Sequence, residues 1–117
     1  MLINVLKTVR DLSDKDYQRR VWIEGKGPEC DDLGDTADFF IDVGGSVLKK
    51  HKDFGITESQ YRLLFALWTD FKHFFLSPER PCFPNEFIDT PEWTQITEMA
   101  KKTLKAFGWE QSADYRL

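Results

Sequence analysis

The chain of 117 residues is 41% hydrophobic and 15% aromatic, a composition that fills a packed core and excludes a disordered chain. Its formal net charge of −4 opposes a phosphate backbone, so nucleic acid is excluded as a direct partner and a basic protein is favoured. No apolar run reaches transmembrane length, and the length suits a single domain over residues 1–117.

After Met1, the residues Leu2, Ile3, Val5, Leu6, Val9 and Leu12 predict an amphipathic helix over 2–12. Lys7, Arg10 and Asp11 interrupt this apolar start and no cleavage site follows, so it reads as a mature terminus and the compartment as cytoplasm. LSDKDY then reads as a new helix start, with Ser13 as N-cap, Asp14 and Asp16 in the first turn, and Leu12 placed to staple onto Tyr17. This helix is expected to reach Val21. Residues 21–24 suit a minor strand, and GKGP at 25–28 stops the segment.

The next stretch is acidic. Seven of the twenty carboxylates stand between Glu24 and Asp42, with Lys26 the single lysine among them. Residues 35–43 predict a short helix capped by Asp35 and ended by Gly44 and Gly45, with Ala37, Phe40 and Ile41 turned inward and Asp38 and Asp42 outward. Residues 46–52 add a further turn or two.

FGITESQ carries the clearest start signal: Thr57 as N-cap, Gln60 closing a capping box, and Ile56 stapling onto Tyr61. The helix should run to Leu76, where SPERPCFP ends it. Its apolar residues, from Tyr61 through Phe65, Trp68 and Phe71 to Phe75, fill more than one stripe. Such a helix is either central and wrapped, or buried on one side and used as an interface on the other. DTPEW opens the last helix, with Thr90 as N-cap and Pro91 at its first position. Trp93, Ile96, Ala100, Leu104 and Phe107 share a face, and Gly108 with Trp109 fits a Schellman ending. The tail 110–117 reads as loose. The expected fold is all-α: a compact bundle of three long and one or two short helices around a central aromatic helix.

Little in the chain suggests bond chemistry. His51 and His73 lack further ligands at zinc spacing, and Asp31, Asp32 and Asp35 do not follow calcium-loop order. Cys82 lies nine residues after His73, and Glu24, Glu29, Asp31 and Asp32 offer carboxylate pairs. No oxyanion glycines, nucleophile elbow or phosphate loop accompanies them. Cys30 and Cys82 are expected as reduced thiols. No catalytic residue, metal ligand or cofactor is assigned, and the protein is read as no enzyme.

A docking face remains. Glu24, Glu29, Asp31, Asp32, Asp35, Asp38 and Asp42, with Trp22 or Phe39 nearby, combine carboxylates that speed encounter with aromatic side chains that anchor a contact. The alternative at this point is a solvated acidic surface.

LSDKDYQRRVW, followed by EGKGPE and ADFFID, resembles a family of small bacterial proteins. Its members share a D-x-x-Y-Q-x-x-x-W element, here Asp14, Tyr17, Gln18 and Trp22, then a G-P turn and an acidic-aromatic segment. GITESQ and DTPEW are similar to that family's second half. The resemblance implies no catalytic residues, and it implies company with mobile genes or toxin loci. The residues and the resemblance together leave three expectations, the last of them a hydrolase using Cys82 and His73. The first is an immunity-type protein that neutralises a basic toxin. The second is an accessory protein that pairs with itself through Phe74, Phe75 and Trp109.

Overall fold

The computed structural model describes residues 1–25, 33–79, 81 and 83–109. The fold is all-α, as expected. Its helices are α1 (Leu2–Leu12), α2 (Lys15–Tyr17), α3 (Leu33–Lys49), α4 (Glu58–Leu76), α5 (Pro84–Phe87) and α6 (Pro91–Ala106), with a π-helical turn at Gln18–Ile23 and a 3-10 turn at His51–Phe54. Four of these are long rather than three. They close a ring in which α1 and α4 each pack against both α3 and α6.

Each long helix turns one apolar stripe into the ring. Val5, Val9 and Leu12 enter from α1, Ala37, Phe40 and Val47 from α3, Leu64, Leu67 and Phe71 from α4, and Trp93 and Ala100 from α6, all with no exposed surface. Trp93 is the hub. Its ring lies 4.9 Å from Phe87, 5.4 Å from Phe74 and 6.1 Å from Phe71, so α4, α5 and α6 meet around one indole.

The strand expected at 21–24 does not form, and no described residue lies in a strand. Gln18–Ile23 winds as a π-helix closed by the Glu24 amide donating to the Arg19 carbonyl at 2.9 Å. The reason lies in Gln18, which is fully buried. Its Nε2 donates to the carbonyls of Asp11 and Leu12 at 2.9 and 3.0 Å, and its Oε1 accepts from Trp93 Nε1 at 2.9 Å. One amide thus closes the end of α1 and ties it to α6, which holds the chain coiled where β-branched residues favour extension. Ser13 also takes another role: it ends α1, and Asp14 is the N-cap that accepts from the Tyr17 amide at 3.1 Å.

A second difference concerns Gly44 and Gly45. They do not end a short helix, because α3 runs through them for 17 residues. Their lack of side chains serves packing. A Cβ on Gly44 would stand 3.1 Å from Trp68 Cδ1, and one on Gly45 would stand 3.2 Å from Trp68 Cζ2. The Trp68 indole lies across the pair and donates to the Ile41 carbonyl at 3.1 Å.

The remaining helix ends follow expectation. Thr57 and Gln60 form the capping box, and Thr90 caps α6 with Pro91 behind it. Gly108 adopts a φ of 77°, and Trp109 and Gly108 donate to the Leu104 and Lys105 carbonyls at 2.8 and 3.0 Å, completing the Schellman motif.

Candidate docking face

Along α3, at about 100° per residue, Asp35, Asp38 and Asp42 fall within roughly 60° of one another on the outer side. All three are exposed. Asp35 sits in the first turn, where the helix dipole favours a carboxylate and gives it a structural purpose. Asp38 and Asp42 lie beyond that turn, and their carboxylates meet no cation among the described residues.

The two expected aromatic anchors are each half-buried. Trp22 points inward, edge-on to Tyr17 at 6.1 Å and to Trp93 at 6.3 Å. Phe39 is half-buried against the core. Glu24 is exposed where the π-helical turn ends. Glu29, Asp31 and Asp32 lie outside the described residues, as do Cys30 and Cys82. Among the described residues, Phe39 follows Asp35 by four positions and precedes Asp42 by three on α3, so it borders their stripe, whereas Trp22 is turned toward Tyr17 and Trp93.

α4 supplies further anchors. Tyr61, Phe65, Trp68, Lys72 and Leu76 recur at intervals of three or four and share a second stripe beside the one that enters the core. Tyr61 and Phe65 stack at 5.7 Å, Phe65 and Trp68 at 6.3 Å, and His51 lies 4.1 Å from Tyr61. Phe65 is 45% exposed and Leu76 62% exposed. Lys72 rests its ammonium 4.8 Å from the Trp68 ring centroid.

These two stripes border one groove. Trp68 lies beside Ile41, Gly44 and Gly45, whereas Tyr61 lies beside His51, so α3 and α4 run antiparallel. The groove between them has a volume of about 540 Å³. Asp42, Gly45, Lys49, Phe65 and Trp68 all line it. It shares Phe65, Trp68 and Lys72 with a second hollow of about 610 Å³ that reaches Leu76 and Pro78. The signal for these anchors was present in the sequence, in the second apolar stripe of α4. What the sequence hid was which stripe faces out.

A larger hollow of about 670 Å³ lies between the α1–α2 corner and α6. Part of its charge is occupied, whereas the Asp16 and Lys105 side chains meet no partner among the described residues and Thr97 Oγ1 is buried there without one. Lys15 Nζ donates to Thr94 Oγ1 at 2.8 Å, Lys101 pairs with Glu98 at 3.6 Å, and Asp14 caps α2.

His73 is exposed on α4, with Cys82 outside the described residues. Among the described residues, no cluster of three or more His, Cys, Asp or Glu side chains could hold a metal ion. No described helix is long and apolar enough to cross a membrane. Phe74, Phe75 and Trp109 are half-buried against the core, so the self-pairing surface expected of them is largely spent inside the fold. Comparison with family models, curated proteins and solved structures finds no match to this chain.

Proposed function

We propose that this protein acts by binding rather than by bond chemistry, and that it docks a basic protein surface on the α3–α4 face. The observation that carries the reading is Asp42. It is an exposed carboxylate that meets no cation among the described residues, lines the same groove as Phe65 and Trp68, and continues the stripe of Asp35 and Asp38. Carboxylates steer a basic partner to the groove, and the aromatic ladder supplies the apolar contact that holds it. Lys72 keeps the Trp68 face covered until a partner takes its place. No cofactor is required.

The most specific form of this reading is an immunity-type protein of a bacterium that occludes the basic cleft of a toxin. The D-x-x-Y-Q-x-x-x-W resemblance supports that form. In the structure its residues build a supporting corner: Asp14 caps α2, Tyr17 and Trp22 pack edge to face, and Gln18 joins α1 to α6.

The test is protection. Each gene flanking this one is expressed alone and together with this chain. A product toxic alone and harmless in company identifies the partner. Reversing Asp35, Asp38 and Asp42 to Lys should then abolish protection while leaving the helical spectrum intact. Protection that survives both this reversal and Phe65→Glu would remove the docking face. The toxin-neutralising form falls if no flanking product is toxic.

A further inference from the structure

We propose that a second copy of this chain covers the α3–α4 face, related by a two-fold axis that lies between the copies and runs across the outer side of α3 at the level of Gly45 and Ser46. The pairing rests on that face being a docking surface, and it sets a second copy in competition with the basic partner.

The face is not uniformly acidic. Its charge changes sign along the groove. Asp35, Asp38 and Asp42 occupy one end of α3. Lys49 lines the groove at the other, with Lys50 and Lys52 exposed just beyond. Asp53 and Glu58 offset part of this positive end, but Glu58 is already paired with Arg62 at 3.2 Å. A uniformly acidic face would repel its own copy. A face with opposite charge at its two ends attracts a copy laid antiparallel upon it, because a two-fold axis brings each end against the other.

The spacing suits this arrangement. Asp42 and Lys49 are two helical turns apart, about 10 Å along the axis, and lie on one stripe. Between them on the outer side stands the exposed Ser46, a short side chain that leaves room for a second copy, whereas the space beside Gly45 is taken by Trp68. An axis at this level sets Asp42 of each copy opposite Lys49 of the other, twice per dimer. On α4 the same axis sets the exposed Phe65 opposite Trp68 of the other copy. It also brings Lys72 toward the Tyr61 ring. The exposed apolar surface of the face and the charges of Asp42 and Lys49 are then covered by one operation.

Sedimentation equilibrium of the full chain tests the pairing. The wild type is expected to be a dimer. Asp42→Lys alone and Lys49→Asp alone should each weaken it about tenfold or more, since each replaces two attractions by two repulsions. The double variant Asp42→Lys/Lys49→Asp should restore it, because each swapped residue then meets its swapped mate. Circular dichroism on every variant checks that the helices persist. A wild type that stays monomeric at its highest soluble concentration overturns the proposal, and so does a double variant no better than the singles. The double swap does not restore contact with a basic heterologous partner, where the Asp42→Lys change still sets positive charge against positive charge. A monomeric wild type that loses protection on charge reversal therefore removes the pairing alone and leaves the docking reading standing.

Discussion

Gln18 shows how much one buried side chain can hold. Its amide meets two carbonyls at the end of α1 and the indole of the core tryptophan, and it has no exposed surface. Replacing it with Leu keeps the volume but leaves the Leu12 carbonyl and Trp93 Nε1 buried and unpartnered. We expect Gln18→Leu to cost about 3 kcal/mol, read as a lowered denaturant midpoint at unchanged slope. Phe65 is the opposite case. With nearly half its surface exposed it adds little to the fold, so Phe65→Ala should change stability by less than about 1 kcal/mol. Its loss should be felt in docking, where removal of an anchoring aromatic typically costs about 2 kcal/mol or more. A calorimetric titration beside a melt separates the two effects. A melt that falls as far as the affinity would show Phe65 to be structural.

At the scale of elements, what the sequence made legible was local. The Thr57–Gln60 box, the Thr90–Pro91 start and the Gly108–Trp109 ending all rest on hydrogen bonds between residues three to five apart, and all three form. The Gly44–Gly45 pair was misread because its reason lies on another helix, in Trp68 of α4. The outward-facing aromatics of α4 are hidden in the sequence for the same cause. Trp22 stands beside the acids in the chain, yet Trp93 of α6 draws it inward, and Phe65 faces outward across a groove that no local pattern describes. The capping carboxylates and hydroxyls could be read directly, whereas the choice between two apolar stripes on α4 is made only by packing. The close approach of Trp68 to the glycine pair can be tested. Gly44→Val would place branched carbons where even a Cβ is tight against the indole, and it should destabilise by about 2 kcal/mol despite the better helix propensity. Trp68 should also move, seen as loss of its indole N–H protection by NMR. A Gly44→Val protein as stable as the wild type, with the Trp68 signal unmoved, would falsify the close-approach role.

For the molecule as a whole, folding and docking draw on different forces, and salt separates them. The fold rests on a ring of four apolar stripes and one buried amide network. Its described ion pairs are few and mostly at the surface: Arg19–Asp89, Arg62–Glu58 and Lys101–Glu98. Exposed pairs of this kind contribute about 0.2–1 kcal/mol each and are screened by salt. The docking face instead relies above all on Asp38 and Asp42, which meet no cation among the described residues and act on a partner before contact. Raising the salt from roughly 0.05 to 0.5 M shortens the Debye length from about 14 to about 4 Å, which ends steering across the approach distance but hardly touches an apolar core. The thermal midpoint should therefore move little over this range. It is best read on the Phe65→Glu variant, which should lose the proposed pairing. The rate of association with a basic partner should fall by about tenfold or more, while the dissociation rate, set by Phe65 and Trp68, should change far less. Stopped-flow mixing measures both rates directly. Reversal of Asp35, Asp38 and Asp42 should mimic high salt, and should leave little further salt dependence to observe. An association rate that ignores salt in the wild type would mean that the acids of α3 take no part in finding the partner.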